Sequence, residues 1–218
     1  MSNIIDVTYF EKGALYIPNN KDVLVAPTGS PTNQTDLDFY ITEYERELLL
    51  NALGITLYDE LQIALIDLPS ADQKWINLVE GVTYTNSQGV VKRWDGLKGF
   101  NKQSLIACFI YTEYLRNYNE TFATTGVVKN NSKNATNSNA TPKYIKAYRK
   151  FLEQYQSSDT YNPNVYLNKF GGVGVDWYGT DRTQVSLYQF LTDSNELDAN
   201  TFKDFEFKFY REQNSFGI

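Results

Sequence analysis

The spacing of apolar residues changes character along this chain, and each change marks an element. Residues 1–40 carry apolar residues in short runs, Ala14-Leu15-Tyr16-Ile17 and Val23-Leu24-Val25, broken by Pro18, Pro27, Pro31 and Asn19-Asn20. That punctuation predicts an extended arm, short strands or a surface-hugging ribbon, rather than a helix. Helical spacing begins at Thr42-Glu43-Tyr44-Glu45, where a Thr followed three residues later by a Glu forms a capping box. The helix runs to Leu53, keeps Tyr44 and Leu48 on one face, and stops at Gly54, the residue type that tolerates a left-handed cap. A second helix spans Leu57 to Ile66 and ends before Pro69. Ser70-Ala71-Asp72-Gln73 is another capping box, opening a short helix with Trp75, Leu78 and Val79 on one side and Gly81 at its end.

The period then shortens. Val82-Thr83-Tyr84-Thr85 and Val90-Val91-Lys92-Arg93-Trp94 flank the turn residues Asn86-Ser87-Gln88-Gly89, which predicts a β-hairpin at 82–94. The longest helix is expected to start near Leu97 or Asn101 and to end near Tyr118. Its middle, Leu105 to Tyr111, is apolar on nearly all sides, as a central buried helix is. Residues 119–140 form a polar loop rich in Asn, Ser and Thr. Thr141-Pro142 opens another helix, with proline at its favoured first position. Tyr144, Tyr148, Phe151, Leu152 and Tyr155 form its buried stripe, while Lys143, Lys146, Arg149 and Lys150 lie off that stripe and make a basic face. Past Ser158 the pattern turns to β. In Asp204 to Arg211 strict alternation puts Phe205, Phe207 and Phe209 on one face and Glu206 and Lys208 on the other. A lone strand cannot hide three phenylalanines, so this one is expected to join a sheet, supplied by the arm, the hairpin or a neighbouring subunit.

The expected fold is thus mainly α. It has a helical core of about five helices over 41–158, a hairpin, an N-terminal arm over 1–40 and a β-rich extension over 159–218. The N-terminus lacks the basic start and apolar stretch of a signal peptide, and no window is read as approaching the ~20 apolar residues of a membrane span. A soluble chain made in a cytoplasm, with no membrane partner, is the expectation.

Composition narrows the chemistry. The 218 residues include no His and one Cys, Cys108. Histidine-based triads, imidazole ligands, disulfides within the chain and thiolate zinc sites are therefore excluded. Cys108 sits mid-helix and reads as a small core residue. Glu43, Glu45 and Glu47, and again Asp193, Glu196 and Asp198, cluster carboxylates; a glycosidase would need two of them facing each other across a cleft. The second cluster lacks the glycine and distal glutamate of a calcium loop. Gly171-Gly172-Val173-Gly174-Val175-Asp176-Trp177-Tyr178-Gly179 lacks the spacing of a phosphate cradle and reads as a contact loop with exposed aromatics. No catalytic, cofactor-binding or metal-binding residue is assigned, and no enzyme activity is expected.

Charge is unevenly placed. The net charge is −6, yet residues 41–81 carry eight acids and two bases, whereas 82–118 carry five bases and two acids and 141–158 four bases and one acid. Acidic and basic segments of one chain can attract each other within a subunit or between copies.

The order of these features resembles a known family. Asp36-Leu37-Asp38-Phe39-Tyr40-Ile41-Thr42-Glu43-Tyr44-Glu45-Arg46-Glu47-Leu48-Leu49 follows a proline-broken arm, and Leu53-Gly54-Ile55-Thr56-Leu57-Tyr58-Asp59-Glu60-Leu61 comes next. Then come the capped helix with Trp75, the hairpin, the apolar helix, the segment Thr124-Thr125-Gly126-Val127-Val128, and a close on Asn214-Ser215-Phe216-Gly217-Ile218. Over 36–155 this is similar to the head-to-tail connector (adaptor, or ring) proteins of tailed phages, in particular those of crAss-like phages infecting Bacteroidetes. The resemblance implies a helical core whose copies form a dodecameric ring beneath the portal protein. Arms and loops would reach neighbouring copies, the portal and the next tail ring or tail hub protein. Genomic DNA would pass through the lumen without sequence specificity. Such a protein is assembled in the host bacterial cytoplasm and resides at the neck of the virion. The extension over 159–218 is longer than in compact members of that family.

Interface residues are then expected at Tyr16 and Ile17 in the arm, Trp177 and Tyr178 in the Gly-rich loop, and Phe205, Phe207 and Phe209 in the last strand. Lys143, Lys146, Arg149 and Lys150 are expected to face an acidic partner or DNA. The alternative is a carbohydrate- or receptor-binding module of a phage tail or bacterial surface, since tyrosines stack on flat ligands and asparagine amides offer paired donors and acceptors.

Overall fold

A helix that is apolar on every side needs a layer all around it, and the protein provides one for α3 (Leu105–Tyr118). The computed structural model describes residues 2–17, 36–118, 121–123, 126–128, 141–156 and 184–210. In it Leu105 through Tyr111 are each at most 2% exposed. Two long helices, α1 (Asp36–Ala64) and α4 (Thr141–Gln156), pack directly on α3. Cys108 lies within this core, and burial pushes its thiol up to about 12, which removes its reactivity at neutral pH.

In chain order, two short 3-10 turns (Val7–Phe10 and Gly13–Leu15) precede α1, and a third (Leu65–Ser70) follows it. Next come α2 (Gln73–Glu80), the antiparallel strands β1 (Val82–Thr85) and β2 (Val91–Trp94), and α3. A second antiparallel pair, β3 (Thr121–Ala123) and β4 (Gly126–Val128), precedes α4, and α5 (Leu187–Leu197) closes the order. The architecture is mainly helical, with five α-helices among the described residues and a two-stranded hairpin at the expected place.

Several boundaries differ from the sequence expectation, each for a physical reason. α1 starts at Asp36, so Thr42 lies inside it and cannot cap it. Gly54 still breaks the helix, with φ 77 and ψ 171. α2 starts at Gln73 behind Asp72, so Ser70 is not its cap, while Trp75, Leu78 and Val79 are buried and Gly81 ends it as expected. α3 begins at Leu105 rather than near Leu97 or Asn101. Ser104 sets the start, its hydroxyl accepting from the Ala107 N–H at 3.0 Å. The polar loop 119–140 contains the β3–β4 pair, in register Thr121↔Val128, Phe122↔Val127 and Ala123↔Gly126; short β-forming triplets are invisible against a polar average. In 2–17 the chain forms 3-10 turns rather than strands. By length and composition Leu37–Ser70 is long and apolar enough to cross a membrane, contrary to the expectation for every window. Here it is broken at Gly54, and Leu48, Leu49, Leu53, Leu57 and Leu61 point into the core.

The extension expected to be β-rich holds a helix where it is described. α5 is capped by Ser186, whose hydroxyl accepts from the Gln189 N–H at 3.2 Å, and buries Leu187, Phe190 and Leu191. Phe190 stacks on Trp94 at 5.6 Å and meets Tyr84 and Phe202 edge-on at 5.8 and 5.9 Å, tying α5 to the hairpin. Tyr84 donates its hydroxyl proton to the buried Asp193 at 2.6 Å, which locks the same joint.

The joint between α3 and α4 is aromatic. Phe151 is fully buried with ring centroids at 5.0 Å from Phe109, 5.1 Å from Tyr155 and 5.2 Å from Tyr210. Truncating it leaves a cavity that rigid neighbouring rings cannot fill. Phe151→Ala is expected to lower unfolding stability by about 3–5 kcal/mol, read as a fall in the urea midpoint at unchanged slope.

Candidate functional site

Both ends of the described chain are tied to the half of α1 that precedes its break at Gly54. On the N-terminal side the tie is Glu45. Its carboxylate is 2% exposed and accepts from the backbone N–H of Ile4 at 2.7 Å and of Ile5 at 3.2 Å. Thr42 adds a contact, accepting from the Asn3 amide at 3.1 Å. Glu45 thus caps the backbone of the arm and Thr42 holds an arm side chain, rather than the pair capping its own helix, and Ile4, Ile5, Phe10, Leu15 and Ile17 are buried.

On the C-terminal side the tie is residues 205–210. The turn at Gly54 diverts the helical ladder, so carbonyls of the preceding turn need other donors. Lys208 N–H donates to the Asn51 carbonyl at 2.7 Å and Glu206 N–H to the Leu53 carbonyl at 3.5 Å. A Cβ at position 54 would lie 3.2 Å from the Glu206 Cβ, so the glycine serves both the left-handed turn and the close approach. From α4, the Gln156 side chain pairs with both backbone groups of Tyr210, accepting from its N–H and donating to its carbonyl at 2.8 Å each. Tyr155 donates to the Lys208 carbonyl at 3.0 Å. The expected alternation holds in part, since Phe205, Phe207 and Phe209 all pack against Tyr188 at 6.4, 5.1 and 5.0 Å. The segment joins no sheet among the described residues, because helix carbonyls and a glutamine amide already occupy its backbone groups.

The candidate residues fall into separate places. Tyr16 is 51% exposed, whereas Ile17 is buried and donates its N–H to the Phe10 carbonyl at 3.0 Å. Phe205 and Phe207 are half-buried and Phe209 is exposed. Lys143, Lys146 and Arg149 are exposed along α4, while Lys150 is half-buried and donates to the Gln103 side chain. Trp177, Tyr178 and the rest of the Gly-rich loop lie outside the described residues. The carboxylate clusters are dispersed. Glu43 and Glu47 face solvent, Asp193 is held by Tyr84 and Gln189, and Glu196 accepts from Ser87 at 2.7 Å. Among the described residues no group of three His, Cys, Asp or Glu is placed to hold a metal.

Two surfaces that the sequence reading passed over emerge instead. On the acidic segment Ile55, Ile63 and Ile66 are 59%, 70% and 80% exposed, beside exposed Asp59, Glu60 and Asp67. A signal was present. Leu57, Tyr58, Leu61 and Ala64 fill one face of that half-helix, so Ile55 and Ile63 give it a second apolar face that the described residues leave exposed. On the basic segment Phe100 is 65% exposed in the loop before α3, and the bond from Lys150 to Gln103 joins that loop to the basic face of α4.

Electrostatics at the N-terminal tie yields a pH dependence. Burial raises the Glu45 carboxyl from 4.5 to about 7, outweighing the N–H groups of Ile4 and Ile5, which favour its charged form. Burial likewise raises Glu153 to about 7, against the pull of Lys150 and Arg149. A carboxyl that binds its proton more tightly when folded contributes stability that is fully present below its unfolded pKa and lost as pH rises through the folded one. Unfolding stability should therefore fall as the pH rises from about 5 to about 7 and flatten above, by about 1.4 kcal/mol per pH unit for a full proton. Glu45→Gln should remove part of that slope, as urea titrations at a series of pH values would measure.

No protein-family model, no curated protein and no solved structure matches this chain.

Proposed function

We propose that this protein is a non-enzymatic subunit of a phage head-to-tail connector ring, placed between portal and tail around the path of the DNA. The observation that carries this reading is the apolar surface on the acidic segment, where Ile63 and Ile66 stand 70% and 80% exposed. Scattered single apolar residues on a surface need no explanation, but several on one face of one element mark a place that another surface covers. A ring built head-to-tail needs two different, complementary surfaces on each subunit. The acidic face of α1 beyond Gly54 and the basic face of α4, with Lys143, Lys146 and Arg149, are such a pair in charge. The resemblance of 36–155 to connector proteins supports the same reading. An acidic lumen would let DNA slide, because like charge disfavours phosphate contact.

In this reading the copies are held by burial of apolar residues and by charge. Sedimentation velocity across a concentration series, alone and with the portal protein, tests it. The expected result is a discrete multi-copy species, formed alone or on the portal. Ile63→Glu with Ile66→Glu should shift assembly to at least about tenfold higher concentration, with the thermal midpoint nearly unchanged because both residues are exposed. A one-copy mass at every concentration, with and without portal, or a monomer that binds a glycan, would overturn it.

A further inference from the structure

The loop 95–104 holds Phe100 outward by means that burial does not require. Gly99 adopts φ 66, where an added Cβ would lie 2.4 Å from the Gln103 carbonyl oxygen, so only glycine fits. Asn101 and Lys102 follow with φ 52 and 59, two consecutive residues with side chains in the left-handed region. Such a conformation persists only where the surroundings impose it. Here the Gln103 N–H donates to the Phe100 carbonyl at 3.0 Å, Lys102 donates to the Thr8 hydroxyl at 2.6 Å, and Gln103 accepts from Lys150. The loop is thus fastened to the N-terminal arm on one side and to α4 on the other, with its phenylalanine left in solvent. A preformed aromatic knob loses little freedom on binding.

The other exposed apolar surface matches it in chemistry. Ile55, Asp59 and Ile63 follow one another at i, i+4 and i+8 on one helical face, with Ile66 just beyond. Acids lie beside those isoleucines in the chain, Asp59, Glu60 and Asp67, whereas Lys98 and Lys102 flank Phe100 and Lys150 of α4 donates to Gln103 in the same loop. The two surfaces stand at opposite ends of α2. Lys74 in its first turn pairs with Glu60 at 3.3 Å, and Glu80 in its last turn pairs with Lys98. One copy can therefore offer its knob to a second copy while its own isoleucines receive a third.

We infer that Phe100 docks on the Ile55–Ile63–Ile66 face of a second copy of this chain, with the basic rim of the loop against the acidic rim of the helix. The contact is heterologous, since the two surfaces differ, and it repeats from copy to copy. It names the partner surface within the ring reading and rests on that reading.

The test replaces Phe100 by p-benzoylphenylalanine, which keeps an aromatic knob and cross-links on irradiation. The substituted full-length chain is mixed with an isotope-labelled unsubstituted copy, and cross-linked peptides are mapped by mass. Adducts to residues 55–67 of the labelled copy are expected, falling at least about tenfold when that copy carries Ile63→Glu and Ile66→Glu. Phe100→Ala in an otherwise unaltered chain should raise the concentration of half-assembly by at least about tenfold. Adducts elsewhere on the labelled copy, or only within one chain, in protein that sediments as a multi-copy species would overturn this contact and leave the ring reading standing. No adduct in protein of one-copy mass at all concentrations, with and without the portal protein, would remove both. Loss of the adduct on adding portal or tail protein, with new adducts to that protein, would assign the knob to that partner and overturn the self-contact.

Discussion

The carbonyls left at the Gly54 break need donors, and among the described residues Glu206 and Lys208 supply them through their backbone N–H groups. A buried carbonyl without a partner costs about 1–3 kcal/mol, so α1 cannot turn there cheaply unless residues 206–208 lie alongside. That demand sets where the rest goes. Once the segment is bound at Asn51 and Leu53, Tyr210 is carried between Phe109 and Phe151, and Phe207 comes to stack on Tyr155 at 4.4 Å. The α3–α4 core therefore includes side chains from a segment that closes the described chain. It is a contact of long sequence separation, of the kind that forms late and costs loop entropy.

Amide side chains do at these joints what a neighbouring strand does in a sheet. Gln156 exchanges two hydrogen bonds with the backbone of Tyr210. Asn195 does the same for Phe202, accepting from its N–H at 2.7 Å and donating to its carbonyl at 2.9 Å. Two of the polar residues that could pass for ligand-binding amides are thereby engaged with the chain's own backbone. Glu45 plays the equivalent part for Ile4 and Ile5, but with a buried titratable group, which couples that joint to pH.

Elements whose signal is local were legible in the sequence. The hairpin, the buried stripe of α4, the apolar ring of α3 and the end of α2 at Gly81 each follow from a period or a turn residue, and each lies where the pattern puts it. Ser186 and Gln189 also carry a local signal, a Ser-x-x-Gln capping pattern with Leu187, Phe190 and Leu191 behind it. The rest was not legible for a different reason. Thr42 and Glu45 match a helix start perfectly well, but the arm competes for the carboxylate. Phe205, Phe207 and Phe209 alternate as a strand does, but alternation reports a face and not the partner of the backbone. In both cases the competing group lies about forty or more residues away, beyond the reach of any local pattern. The candidate surfaces divide in the same way. The basic face of α4 came from spacing, whereas the exposure of Phe100 depends on left-handed backbone at two residues that do not announce it.

An apolar face that awaits a neighbour is also a hazard to the free subunit, and its charged surroundings bear on that. Three exposed isoleucines would attract any apolar surface, but acids around them add a term that depends on what approaches. Like-charged surfaces, including the same face of another copy, are repelled, and a basic rim is drawn in. Association of the isoleucine face with itself is thus disfavoured, although a symmetric dimer is the commonest way for a chain to hide such a patch. What remains is a contact between unlike surfaces, and unlike surfaces leave a free one on each end. Such an assembly stops growing only by closing on itself. In the connector we propose, the angle between the Phe100 loop and the second half of α1 would decide whether it closes, and that angle is held by α2 and by the ion pairs at its two ends.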